Sequence, residues 1–237
     1  ARARQVLTQR VAPAFADLQR FFEEQYLPAA RGAPLSASRL PAGNAYYDAL
    51  ASTYTTTAEK PERIHEIGLS EVARVGAEIR RTLDSAGFSG KLSEFVTAKR
   101  ADPAQRFGSA EAMLAGYRDM AKRVDAELPK LFATLPRMPY GIRAMQPFER
   151  DNAEHYVPGS ADGSRSGYFM ANVNRLDRRG RFEMEALLMH ETVPGHHLQI
   201  ARAMEMEALP EFRRHLWLTA YGEGWALYAE SLGAQMG

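Results

Sequence analysis

A proline followed by a glycine, Pro194-Gly195, interrupts the stretch from Phe182 to Ala203, whose pattern of apolar residues otherwise reads as a helix. Proline has no N–H to offer the carbonyl of His190, and its ring clashes with that carbonyl, so a regular helix cannot run through both sides of it. Gly195 adds backbone freedom beside the break. Three of the chain's six histidines, His190, His196 and His197, flank this interruption, with Glu191 next to the first. The sequence therefore predicts a deformed turn within residues 188–199.

That deformation decides whether the histidines can meet. On a straight helix residues four apart are separated by about 6 Å along the axis and about 40° around it, which lets two imidazoles share one ion. His190 and His196, six apart, would be about 9 Å and 120° away from each other, and His197, seven apart, about 10.5 Å along the same face. A wide turn at Pro194-Gly195 that absorbs two residues returns His196 to the position of a second ligand. The chain has no cysteine, which excludes disulfides and thiolate sites and leaves histidine and carboxylate to hold any metal.

These are the residue types of a catalytic zinc site, with three ligands at about 2.0–2.2 Å and one position left for water. Glu223, in Tyr221-Gly222-Glu223-Gly224-Trp225 on the next helical stretch, is the candidate third ligand. Glu191, beside His190, points toward bound water rather than the ion and is the candidate general base, since zinc lowers the pKa of its water to about 7. The pattern departs from the familiar H-E-x-x-H helix, because Pro194 stands where the second histidine belongs. The opposing reading, three ordinary polar residues at a kink, has only overall composition in its favour.

The remaining sequence is mostly helical. Leu7, Val11, Phe15, Leu18 and Phe22 form one apolar face, with Pro13 expected to kink or divide it; Arg31 to Asn44 is a connector, and Ala45 to Tyr54 a short helix. Pro61 opens a helix with Ile64, Ile67, Val72, Val75, Ile79 and Leu83 along one side. Leu92 to Lys99 and Ser109 to Leu128 follow, Ser109 as an N-cap. From Pro129 to Arg181 prolines and glycines multiply around two strand-like runs, Ile142 to Gln146 and Gly167 to Val173, and Glu211 to Leu232 is the last helix. The expected architecture is mainly α with a small antiparallel sheet beside the active-site helix. A helical scaffold over 1–128 and a sheet with active-site helices over 129–237 form two subdomains or one compact unit.

Other features bound the function. A formal net charge of +1 with scattered arginines argues against a nucleic-acid partner, and Arg175-Leu176-Asp177-Arg178-Arg179, broken by an acid, reads as a solvated turn. No apolar run approaches the roughly 20 residues of a membrane span and no signal segment opens the chain, so it reads as soluble, with cytoplasm, periplasm and secretion equally open. Starting without methionine inside a helix and stopping just past another, it reads as a piece of a longer protein. An extended substrate would lie along an edge strand at Gly167 to Val173, which carries Tyr168 and Asn172. Tyr221 or Tyr228 would donate to a developing oxyanion, while His197 and His215, the latter about two turns before Glu223, would contact substrate or support the ligands. Packing is the competing role for each of these residues.

H-E-x-x-P-G-H-H-L-Q followed by E-G-W-A-L-Y-A-E resembles the bacterial domain-of-unknown-function family 885, which is grouped with zincin-like metallopeptidases. The likeness extends to Tyr26-Leu27-Pro28-Ala29, Gly43-Asn44-Ala45-Tyr46-Tyr47, Thr55-Thr56-Thr57, Ile64-His65-Glu66-Ile67-Gly68 and Gly167-Tyr168-Phe169. It implies a zincin-like fold with His190 and His196 as zinc ligands, Glu223 as a gluzincin-like third ligand and Glu191 as base. The first histidine after Pro-Gly defines the family motif, which favours His196 over His197. The implied activity is zinc-dependent hydrolysis of peptide bonds, in a longer protein of which this piece can be inactive. Its rivals are a helical binding or scaffold protein with a vestigial or structural metal site, and a metal hydrolase of esters or non-peptide amides.

Overall fold

The structure, a computed structural model, describes residues 2–30, 32 and 35–237. It divides into two compact units, Ala1–Ala51 and Ser52–Gly237. In the first, helical segments Arg2–Val6, Leu7–Val11, Ala12–Phe21, Phe22–Tyr26 and Leu27–Ala29 follow one another without interruption. Pro13 does not divide this helical run. A π-helical turn over Leu7–Val11 precedes it, and another over Phe22–Tyr26 precedes Pro28, so each wide turn accommodates the proline that follows. The connector expected over Arg31 to Asn44 includes residues 31, 33 and 34, which lie outside the described residues.

The second unit contains α1 (Pro61–Ser85), α2 (Leu92–Ala101), α3 (Ala110–Glu127), β1 (Tyr140–Ala144), β2 (His155–Val157), β3 (Gly167–Ala171), α4 (Met184–Glu191), α5 (His196–Glu205), α6 (Glu211–His215) and α7 (Thr219–Ser231). Pro61 occupies the first turn of α1, where its missing N–H costs nothing, and Ser109 caps α3 by accepting from the Ala112 N–H at 3.1 Å. No helix among the described residues is long and apolar enough to cross a membrane.

The sheet is mixed rather than wholly antiparallel. Its order is β1-β3-β2: β3 runs parallel to β1, from Tyr140 opposite Gly167 to Ala144 opposite Ala171, and antiparallel to β2, with His155 opposite Met170. The chain leaving β1 crosses to form β2 before β3 inserts between them, so β3 is the central strand and β2 an edge. A three-residue strand has too little length to display a sequence period, which is why β2 was not anticipated.

Two apolar clusters clamp α4. On one side Met184 and Leu188 pack with Met113, Tyr117 and Ala121 of α3 and with Ile142, Phe169 and Ala171 of the sheet, Tyr117 meeting Phe169 edge-on at 5.0 Å between centroids. On the other, Met189 joins Val193, Leu198, Leu232 and Leu128. Each fully buried Leu, Ile, Val, Met or Phe among them contributes about 1.5–3 kcal/mol. Residues from both sides of position 128 pack together in each cluster.

The helical stretch from Phe182 to Ala203 does break. α4 stops at Glu191, Thr192 and Gly195 leave helical geometry at ψ −113° and −130°, the Val193–Pro194 peptide is cis, and α5 starts at His196. Thr192 secures both ends: its Oγ1 donates to the Leu188 carbonyl at 2.6 Å, and its own carbonyl accepts from the His197 N–H at 3.0 Å. Trp225 Nε1 donates to the Pro194 carbonyl at 2.7 Å, tying the turn to α7. A Cβ on Gly195 would lie 1.9 Å from the His190 carbonyl oxygen and 2.3 Å from that of Met189.

Gly195→Ala should thus destabilise the protein by at least about 2 kcal/mol, because backbone rather than a movable side chain must yield. Gly76→Ala, on the exposed part of α1 with nothing within 4 Å, should be neutral or gain roughly 0.5–1 kcal/mol. Urea denaturation of both variants checks this, and equal small effects would contradict the close approach.

Candidate metal centre

The break places His190, at the end of α4, and His196, at the start of α5, with ring centroids 4.7 Å apart and planes nearly perpendicular. α7 crosses beside them and supplies Glu223, whose Oε2 is 3.5 Å from His190 Nε2 and 3.7 Å from His196 Nε2. All three ligand-type atoms lie within 4.8 Å of one another. Two atoms bound at about 2.1 Å to one tetrahedral centre are about 3.4 Å apart, close to the two distances from Glu223 to the histidine nitrogens.

The surroundings prepare the two imidazoles differently. His190 Nδ1 donates to Glu230 Oε1 at 2.8 Å, which fixes the ring with Nε2 toward Glu223. Such an outer carboxylate fixes the orientation of a ligating histidine. Sequence reasoning missed Glu230, although the E-G-W-A-L-Y-A-E run held a signal: Glu223 and Glu230 are seven apart, two turns on one face of α7. Burial holds the His196 ring below the ordinary histidine range, His190 adding to that shift and Glu223 opposing it. The neutral form is the one that binds metal. His196 also meets the edge of Trp217 at 5.6 Å between centroids, and its Nδ1 is buried with no hydrogen-bond partner among the described residues.

Glu191 is 6 % exposed. Burial pushes its carboxyl up to about 7, against the opposing influence of His190 and of the Tyr156 backbone N–H. It faces a cleft of about 420 Å³ shared with His190, His196 and Glu223, walled by Glu154, His155, Tyr156 and Pro158 on β2 and its flanks and by Ile200 and Trp217 opposite. Arg179 holds the Glu154 carboxylate, with Nη2 3.0 Å from Oε2. Two imidazoles, a carboxylate and a second carboxyl poised near neutrality form a set able to bind a divalent ion and move a proton.

His197 turns away from this cleft. Consecutive helix residues point about 100° apart, and its ring is fully occupied on the other side of α5. Tyr156 donates its hydroxyl to Nδ1 at 2.8 Å, and Nε2 donates to the Met138 carbonyl at 3.0 Å, which defines a neutral ring protonated on Nε2. The adjacent histidines thus divide, His196 into the cleft and His197 into a bracket joining α5 to the edge strand.

The remaining sequence candidates lie elsewhere. Asn172, just past the central strand, is buried and donates Nδ2 to the carbonyls of Arg150 and Asn152 at 3.0 and 2.8 Å, so it clamps the loop before β2 instead of facing a substrate. Tyr168 lies under the Arg143 guanidinium at 3.5 Å and accepts from its Nη2 at 2.6 Å. β2 occupies the edge position that these two residues were expected to hold. His215 ends α6 and does not line the cleft; Tyr221 is exposed and offers only its carbonyl, to Gln199 Nε2 at 3.2 Å; Tyr228 is exposed against Trp225.

A sequence model of the family described as "Bacterial protein of unknown function (DUF885)" matches residues 1–237. The chain is similar to a solved structure described as "the putative lipoprotein from Colwellia psychrerythraea", with 29% identity and a TM-score of 0.90. That match covers 98% of this chain and 41% of the other, so this chain spans less than half of its relative's length. None of the curated proteins matches.

The His197 bracket carries a pH signature. Burial pushes its pKa down to about 4, whereas an unfolded histidine titrates near 6.5, so between these values the unfolded chain binds more protons. The contribution is complete above about pH 6.5 and is lost as pH falls toward about 4, amounting to about 2 kcal/mol between pH 7 and pH 5. His197→Gln keeps one donor and one acceptor but does not titrate. In chelator-treated protein, urea denaturation at pH 7 and 5 should show the wild type losing about 2 kcal/mol more than the variant; equal losses would contradict a buried neutral His197.

Proposed function

We propose that this chain, which belongs to the bacterial DUF885 family of unknown function, carries the metal centre of a zinc-dependent hydrolase that cleaves peptide bonds. The convergence of His190, His196 and Glu223, from three separate helices and within 4.8 Å of one another, carries this reading. Two imidazoles and a carboxylate suit zinc among the common divalent ions. A bound ion there supplies Lewis-acid chemistry, polarising a substrate carbonyl and acidifying a water.

The chain's own groups do the rest. Glu230 holds the His190 ring in its ligating orientation through Nδ1. Glu191, buried beside the cluster with its carboxyl near neutrality, takes a proton from the attacking water and delivers it to the leaving amine. The Tyr156 N–H and the Tyr156–His197 hydrogen bond keep Glu191 and the β2 wall in register. β2 is an edge strand along this cleft, and an edge strand is the kind of element on which an extended peptide aligns. Similarity to the Colwellia chain favours the periplasmic or secreted compartments over the cytoplasm.

Glu191→Gln keeps shape while removing the base. It should retain zinc stoichiometrically and lose hydrolysis of a peptide panel by at least about 10²–10³-fold. Unchanged hydrolysis would remove Glu191 as the base. Wild-type protein that cleaves esters but no peptide would replace peptide by ester as substrate, and a zinc-loaded wild type inert to both would favour a binding or scaffold role.

A further inference from the structure

The basic run Arg175-Leu176-Asp177-Arg178-Arg179, which reads in sequence as a solvated turn, takes on a different character in the fold. Its last two arginines face Arg100, from the end of α2, and Arg106 across a cavity of about 350 Å³ that also touches Asp177 and Glu183. Four guanidinium groups thus share one concavity with two carboxylates.

The charges do not all cancel locally. Arg179 is held by Glu154, which faces the metal cleft. Glu183 lies 3.7 Å from Arg100 and accepts from the Gly180 N–H, and Asp177 pairs with Arg175 at 3.4 Å. Arg106 donates Nη2 to the Arg100 carbonyl at 3.4 Å. Among the described residues no carboxylate pairs with Arg106 or Arg178. Arg178 acts on the Asp177 carboxylate without a direct ion pair, Arg175 being that carboxylate's closer partner, so four arginines against two carboxylates leave the concavity with an excess of positive charge. The planar guanidinium fork matches carboxylate and phosphate oxygens in paired hydrogen bonds.

We propose that this cavity binds an oxyanion, a phosphate or carboxylate group, clamped between Arg106 and Arg178. The site is independent of hydrolysis at the metal centre. An ordinary solvated basic face would attract anions too, but only diffusely, with an attraction screened equally by any salt over about 8–10 Å. Saturable binding that depends on these two arginines separates the cases.

The test is calorimetric titration of the chelator-treated chain, which removes metal as a competing phosphate site, with inorganic phosphate and separately with succinate at ionic strength held constant by sodium chloride. The expected result is saturable one-to-one binding of at least one anion, weakened tenfold or more in both Arg106→Gln and Arg178→Gln and unchanged in Arg123→Gln, an exposed arginine paired with Asp119 outside the cavity. Stronger phosphate binding identifies a phosphoryl ligand, and stronger succinate binding a carboxylate one. Matching melting temperatures without anion show that the variants fold, which exposed arginines without ion-pair partners should allow. Heats no larger than those of sodium chloride, or variants that bind as the wild type does, would overturn the proposal.

Discussion

The candidate site depends on the contact between Gly195 and the carbonyl end of α4. Pro194 forbids a continuous helix, but a proline alone does not bring two helix ends together; in the N-terminal unit Pro13 follows a π-helical turn and the helix runs on to Phe21 and beyond. At residue 195 the absence of a side chain lets the backbone lie against the His190 and Met189 carbonyls, where a Cβ would overlap them. α5 therefore restarts beside the end of α4, and His196 reaches the side of His190. Thr192 and Trp225 hold the turn by hydrogen bonds to backbone carbonyls. The two apolar clusters hold α4 from both sides, so the ligands project from a packed element.

The electrostatics of this arrangement favour a cation. His190 sits between two carboxylates, Glu230 on Nδ1 and Glu223 near Nε2, while His196 is driven by burial toward its neutral form and keeps a buried, unpartnered nitrogen. The Nε2 atoms of both rings lie near one Glu223 oxygen, so a cation proposed there would meet two neutral nitrogens and a carboxylate together. On the far side of α5, His197 satisfies both ring nitrogens within the protein and is neutral for structural reasons. Two neighbouring histidines thus meet different surroundings because successive residues of a helix point about 100° apart.

Much of this was legible in the chain. The spacing of His190 and His196 about Pro194-Gly195 required a deformed helix, and the cysteine-free composition restricted ligands to histidine and carboxylate. Glu230 was legible in principle, two turns beyond Glu223. What failed was topology. Asn172 and Tyr168 were set on an edge strand, but β2, only three residues long, takes the edge and makes their strand the central one. The parallel pairing of β1 and β3 likewise follows from the order in which the strands enter the sheet, which no local pattern encodes. Amphipathic faces were read correctly as faces, yet Leu7, Phe15 and Leu18 of the N-terminal helix and Val72 of α1 remain exposed. A stripe specifies which side of a helix is apolar and not what lies against it.

The central claim is that His190, His196 and Glu223 hold a single metal ion beside Glu191. Anomalous scattering measured above and below the zinc edge, from crystals grown or soaked with zinc, tests it without reference to substrate. The account predicts one strong anomalous peak about 2.0–2.2 Å from Nε2 of both histidines and from a Glu223 carboxylate oxygen. Zinc that is absent from this position after soaking, or that binds His197 instead of His196, would contradict it.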